Sequence, residues 1–245
     1  MRIAAIVAVA AAAAVLAPGA QAGVRADYEQ MFTTSIPGTS TGIDTRILYK
    51  HPNDPNAKPI PVRREVFTFP AGTTYDESVV PDCTATDLEL MVLGKSACPP
   101  DSWLGGGRGD TMMTGFPGAG ETAIDLDGWD NGGNLVLLGG PHDLPLRSVV
   151  RTRREGQVVT VDAPRSPGGP PDGESALRRI HNVFNARSLG ARAYMRTPPT
   201  CPRSGVWTFR AQFTFADGVV EEGVSRMPCR VARRLSAGGP RAGGE

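Results

Sequence analysis

The chain is poor in lysine, histidine, aromatic residues and net charge. Lysine occurs only at Lys50, Lys58 and Lys95, and 26 basic side chains nearly cancel 25 acidic ones, for a formal net charge of +1. With no excess of one sign, no global field draws the chain to nucleic acid or to an anionic membrane. The preference for arginine over lysine reads as genomic base composition rather than function. Three histidines, His51, His142 and His181, are scattered, with no His-x-x-x-His or Glu-x-x-His pair, which argues against a histidine-rich metal centre. None of the four cysteines has the close C-x2-C spacing of a zinc site. Beyond the first 23 residues no apolar run approaches the roughly 20 needed to span a bilayer, and no internal repeat is visible.

The N-terminus is the most specific feature present. Met1-Arg2 precedes an apolar run over 3–16, and then Ala17-Pro18-Gly19-Ala20-Gln21-Ala22-Gly23. A basic start, a short apolar stretch and a small-x-small step predict a secretory signal peptide cut after Ala22. The run is short for a spanning helix, Pro18-Gly19 breaks it, and no cysteine near the cut would take a lipid. The expected organisation is a signal peptide over 1–22, a single β-sandwich domain over 23–232 and a disordered tail over 233–245. The tail expectation rests on the lack of any apolar period there. Export places the cysteines in an oxidising compartment, and the central region is long enough to bury its own core.

Thirty glycines and 22 prolines punctuate alternating apolar runs, as expected for short strands joined by turns. Trp207, Phe209, Ala211, Phe213 and Phe215 alternate with Thr208, Arg210, Gln212 and Thr214, a strand with one buried face. Asp217-Gly218 is a hairpin signal, with the return strand over 219–227. A second hairpin pairs 147–153 with 157–161 around Glu155-Gly156. Further strands are expected over 29–36, 43–49, 62–69, 123–126, 134–138, 180–186 and 191–196, and loops over 51–61, 165–175 and 197–205. One helix is expected: Thr84-Ala85-Thr86-Asp87 offers a capping signal ahead of the 88–93 apolar stretch, and Gly94 stops it. The resulting fold class is all-β, a two-sheet antiparallel sandwich with one short helix and two local disulfides. Four cysteines leave three connectivities open. Local pairing is preferred, Cys83 with Cys98 around the helix and Cys201 with Cys229 around the Asp217-Gly218 hairpin.

Set out in order, Pro37-Gly38-Thr39-Ser40-Thr41-Gly42, Phe69-Pro70-Ala71-Gly72-Thr73, the Cys98-Pro99-Pro100-Asp101-Ser102-Trp103-Leu104-Gly105-Gly106-Gly107 step, and Cys201-Pro202 with Trp207 and a Phe-Ala-Asp-Gly turn before Cys229 form a pattern. It resembles a group of uncharacterised secreted β-rich proteins of high-GC Gram-positive bacteria that share a Cys-Pro-x-x-Ser-x-x-Gly-x-Gly step. The resemblance spans most of the chain and implies a secreted β-sandwich. Its motifs are turns and cysteines, and it implies no particular activity.

Several constellations bear on chemistry. Gly38-Thr39-Ser40-Thr41-Gly42 matches G-x-S-x-G, but the apolar run after it reads as a strand, whereas a nucleophile elbow needs a helix. Asp125, Asp127, Asp130, Asn131 and Asn134 concentrate hard oxygen donors of the kind calcium takes, although the EF-hand pattern is missing and such residues also favour turns. Trp129 within this segment would either stack on a sugar ring or cap the core. Arg147, Arg151, Arg153 and Arg154 are a candidate polyanion-binding cluster, with a solvated strand face as the plain alternative. His142 could pair with Asp143, and His181 reads as a packed or edge histidine. Arg108-Gly109-Asp110 falls in a glycine-rich stretch read as loop. The expected function is therefore a secreted, non-catalytic protein with a binding or cell-envelope role and no cofactor. Its expected partner is a cell-wall glycan or another envelope protein, not nucleic acid, with no membrane span after cleavage. The alternatives are a secreted ester or glycan hydrolase and a calcium-dependent adhesion module.

Overall fold

The computed structural model describes residues 25–115, 120–142, 146–170 and 172–230. The expected leader over 1–22 and tail over 233–245 lie outside them. The described chain is mostly strand, with one short helix and two disulfides. In chain order come β1 (Ala26–Phe32), β2 (Ile43–Tyr49), β3 (Val62–Thr68), the two-residue β4 (Thr74–Tyr75), α1 (Asp87–Leu93), β5 (Trp103–Met113), β6 (Gly120–Asn131), β7 (Asn134–Pro141), β8 (Ser148–Glu155), β9 (Val158–Asp162) and β10 (Ala176–Phe184). The short β11 (Ser188–Leu189), β12 (Arg192–Ala193) and β13 (Met195–Arg196) follow, and then the long hairpin of β14 (Val206–Phe215) and β15 (Val220–Pro228).

Eleven of these strands form one continuous antiparallel sheet in the order β1-β2-β10-β5-β6-β7-β8-β9-β3-β14-β15. The sheet curls until its two ends meet. Ser225 Oγ donates to Gln30 O at 2.8 Å, the Arg25 amide donates to Glu221 Oε2 at 2.8 Å, and the Arg230 amide donates to Ser35 O at 2.8 Å. The result is a nearly closed barrel-like sheet, which corrects the expected two-sheet sandwich. The physical reason is that alternation marks one face of a strand as buried. It does not say whether that face meets a second sheet or the far wall of its own sheet.

A barrel's diameter grows with strand number, and eight strands already enclose an interior that side chains just fill. Eleven strands leave more room. One side is filled by aromatics. Trp207, Phe209, Phe213 and Phe215 of β14 are all buried, while Thr208, Arg210, Gln212 and Thr214 alternate outward as expected. Phe209 packs edge-on against Phe32 at 4.8 Å between ring centroids, and Phe213 against Tyr49 at 5.9 Å. Such T-shaped pairs add to the area they bury.

Two further expectations change. The glycine-rich 105–109 segment, with Arg108-Gly109-Asp110, is no loop but part of β5, paired with β10 on one side and β6 on the other. The glycines are needed for close approach: a Cβ on Gly107 would fall 1.9 Å from His181 O. The 191–196 strand is reduced to β12 and β13, and β13 pairs with β4.

Helix α1 lies on the outer wall. Its N-cap is Thr86, not Thr84. Thr86 Oγ1 accepts from the Glu89 amide and Glu89 Oε2 accepts from the Thr86 amide, a reciprocal capping box. Gly94 ends it as expected. Leu90 is fully buried against Trp129, Val136, Leu138 and the Cys83–Cys98 bridge, a second small core outside the barrel. Both disulfides pair locally, Cys83 with Cys98 and Cys201 with Cys229.

Candidate functional site

The side of the barrel not filled by aromatics encloses a cavity of about 760 Å³, within the size range of small-molecule sites. Strand alternation supplies its wall. Ile43, Thr45 and Ile47 of β2, Thr122, Ile124 and Leu126 of β6, and Leu135, Leu137 and Gly139 of β7 are each two residues apart and all line it. Leu177, Ile180, Asn182 and Phe184 of β10 complete that side. Gly128 lets the Phe184 ring lie flat on the wall, since a Cβ there would be 2.5 Å from Phe184 Cε1.

One end is floored by the β4–β13 pair and its neighbours. Tyr75, Tyr194 and Met195 line the cavity from there. The floor is tied to the wall by the Tyr194 hydroxyl, which donates to Asp130 Oδ1 at 2.6 Å. Asp130 is fully buried. Burial pushes its carboxyl up to about 6, against the lowering pull of the Tyr194 hydroxyl. At the other end Pro141, Leu146, Pro164 and Pro167 form the rim.

Glu65 of β3 is the ionisable acid of this cavity that carries no ion pair among the described residues. It is buried, and its carboxylate is hydrogen-bonded by the Tyr49 hydroxyl of β2. Burial pushes the Glu65 carboxyl up to about 7, with the Tyr49 hydrogen bond acting the other way. Burial also pushes the Tyr49 hydroxyl up, well beyond the tyrosine range. Asn182 Oδ1 is buried with no hydrogen-bonding partner.

These residues escaped the sequence reading, although a signal existed. Glu65 shares the phase of Phe67 and Phe69 in a strand, and Asn182 shares that of Ile180 and Phe184. A polar residue in the apolar phase of an alternating strand points into the interior.

The residues singled out from sequence are dispersed. Asp125 Oδ2 meets His142 Nδ1 at 2.6 Å on the outer face. Asp127 accepts from Trp103 Nε1 at 2.9 Å and pairs with Lys95 at 2.8 Å. Asp130 points the other way, to the floor. Asn131 Nδ2 donates to Cys83 O at 2.6 Å, and Asn134 Oδ1 accepts from the Arg154 amide at 2.8 Å. The segment is strand β6 turning into β7 through Gly132-Gly133, so alternation keeps Asp125 and Asp127 on the outer face and sends Asp130 to the other. Among the described residues no group of three or more His, Cys, Asp or Glu side chains is arranged to hold a metal ion. Trp129 is buried under α1.

The four arginines likewise divide. Arg147 Nη1 donates to Met91 O at 2.9 Å, and Arg151 Nε donates to Asp87 Oδ1 at 2.8 Å, so both clamp α1 to β8. Arg153 pairs with Asp162 at 2.8 Å. Arg154 points into the barrel, bonded to Glu77 and lying 4.4 Å over the Tyr75 ring. Ser40 meets Ser188 Oγ at 2.8 Å and is followed by strand β2. His181 sits on the outer face, 3.2 Å from Asp44 Oδ1. Asp143 lies outside the described residues. No family model, curated protein or solved structure matches this chain.

Proposed function

We propose that this chain is an exported, non-catalytic binding protein that holds an apolar small molecule inside its barrel. The observation that carries the reading is the apolar cavity of about 760 Å³. A well-packed interior leaves few voids larger than a water molecule, so a space of this size within one sheet is a feature the sequence maintains at a cost in stability. Leucine, isoleucine and valine walls with a few polar groups are the make-up of a small-molecule site. Export is supported by the 1–22 leader pattern and by two paired disulfides. The resemblance to secreted proteins of high-GC Gram-positive bacteria fits the same placement.

The test is uptake of diphenylhexatriene, an apolar probe that fluoresces when shielded from water, by the purified protein with its disulfides intact. The expected result is saturable uptake, lost in Leu137→Trp and Ile180→Trp, whose larger side chains fill the cavity while far-ultraviolet dichroism stays unchanged. No uptake, or equal uptake by the filled variants, overturns the proposal.

A further inference from the structure

The polar groups inside the cavity narrow the ligand class, given the binding reading above. Three arginines line the cavity and all are committed, Arg147 to the Met91 and Val92 carbonyls of α1. Arg63 Nη2 lies 2.6 Å from Glu174 Oε2, while Arg154 bonds Glu77 and donates to Gly133 O at 2.7 Å. The Tyr49 hydroxyl is committed to Glu65. Threonine hydroxyls on the wall turn to give or to accept and impose no sign. What remains is the Glu65 carboxylate with one neutral donor, the amide oxygen of Asn182 with no donor at all, and the Tyr75 hydroxyl, also buried without a partner and able to give or to accept. The first two are acceptors, and only the carboxylate carries charge.

A hydrocarbon would leave these acceptors buried and unsatisfied, which is costly. A fatty carboxylate would place like charge beside Glu65. We infer that the cavity takes an apolar amine, with the hydrophobic body along the aliphatic wall and the protonated head donating to the Glu65 carboxylate. Asn182 lines the same cavity, with its Oδ1 buried and without a partner. An ion pair away from water is far stronger than one at the surface, so Glu65 acts as the anchor of specificity and the wall as the source of general affinity.

The arrangement carries a pH dependence. Burial holds the Glu65 carboxyl up to about 7, so it is an anion at pH 8.5 and a neutral acid at pH 5.5. An alkylamine, like lysine, stays charged at both. The titratable and charged groups on the inward faces around Glu65 are Tyr28 of β1, Tyr49 of β2, Arg154 of β8 and Glu221 of β15. Burial keeps both tyrosines neutral, Arg154 is paired with Glu77, and Glu221 with Arg25 at 3.6 Å. On its own strand Arg63 is paired with Glu174. β9 and β14 present only apolar side chains there, Val159, Val161, Phe213 and Phe215.

The experiment is displacement of bound diphenylhexatriene by dodecylamine, dodecanol and dodecanoate at pH 8.5 and 5.5. Dodecylamine should displace the probe at least about tenfold more tightly than dodecanol at pH 8.5, with dodecanoate weakest. The preference should vanish at pH 5.5 and in Glu65→Gln, and weaken in Asn182→Leu. The pH comparison uses the unaltered protein, so the outcome does not depend on a variant folding. If dodecanol or dodecanoate matches the amine at pH 8.5, or if folded Glu65→Gln keeps the preference, the amine inference is overturned and the cavity-binding reading stands. Failure of the probe itself to bind overturns both.

Discussion

The Tyr49 hydroxyl donates to the Glu65 carboxylate, joining β2 to β3, which are not neighbours in the sheet. Among the described residues this bond is the one polar compensation for an acid buried among Phe67, Phe213 and Val161, and it does not offset the loss of hydration. The carboxyl is therefore held at about 7 in the folded protein, against 4.5 when solvated. Between those values the folded chain keeps a proton that the unfolded chain has released. Stability from this group is full below about pH 4.5, declines as pH rises and levels off above 7. A shift of this size corresponds to about 3 kcal/mol. Asp130, raised to about 6 by burial, adds in the same direction. Urea unfolding should give a lower free energy at pH 8 than at pH 5, and Glu65→Gln should flatten most of that difference. Identical pH profiles for the two proteins would show that Glu65 is not buried as described.

The aromatic side of the barrel gives a prediction independent of any ligand. Phe213 is fully buried, with the rings of Tyr28, Tyr49 and Phe67 at 6.0, 5.9 and 6.3 Å. Phe213→Ala should cost about 3–5 kcal/mol, as other buried aromatic truncations do. Thr214→Ala, on the opposite face of the same strand, should cost less than about 1 kcal/mol. Thermal melts of the two variants decide the matter, and equal melting temperatures would contradict the inward placement of this row.

Helix α1 is held to the barrel by the Cys83–Cys98 bridge, by Leu90 and by the Arg147 and Arg151 clamps. The bridge closes a loop with a sequence separation of 15, for which loop-closure entropy suggests about 3 kcal/mol. The double variant Cys83→Ser, Cys98→Ser should lose about 2–4 kcal/mol. Amide exchange in 87–93 should rise first, because the main barrel ladders do not depend on this bridge. Exchange rising equally in β14 would mean that the outer cluster and the barrel unfold as one unit.

How much of this was legible follows from what strand periodicity encodes. The hairpins at Glu155-Gly156 and Asp217-Gly218, the aromatic row of β14 and both disulfide pairings are local, and local spacing reveals them. Closure of the sheet is not local. It depends on β2 pairing with β10 and β9 with β3, contacts between segments far apart in sequence. The glycines of β5 hid a strand, because low strand propensity was overridden by pairing on both sides. Thr84 with Asp87 reads as the cap, but Thr86 has Glu89 three residues on, and that local capping box is the one that forms. For the site, adjacency misled. Arg151, Arg153 and Arg154 look like a cluster in sequence, yet alternation sends Arg154 to the opposite side of the wall. The cavity is assembled from seven or more strands, each contributing one phase, and Gln30, Glu65 and Asn182 mark it by placing polarity in an apolar phase.

The floor of the cavity supplies the last test. Tyr194 Oη donates to Asp130 Oδ1, while Asp130 Oδ2 is buried without a hydrogen-bonding partner. Tyr194→Phe keeps the ring and removes the single side-chain donor to this carboxylate among the described residues. The variant should lose about 1–3 kcal/mol, the cost of an unsatisfied buried group. The loss should depend on pH. With the lowering hydrogen bond gone, the Asp130 carboxyl rises further above 6 and takes up a proton more readily. Below that range the acid is neutral in both proteins and the deficit is small. Above it the variant must bury the anion without the Tyr194 hydroxyl, beside Asp82 and with the Gly133 amide left to stabilise it, and the deficit is full. Denaturant melts of Tyr194→Phe at pH 5 and pH 8 should therefore diverge from the parent only at the higher pH. A deficit of equal size at both pH values would mean that the hydroxyl matters for packing and not for the charge on Asp130.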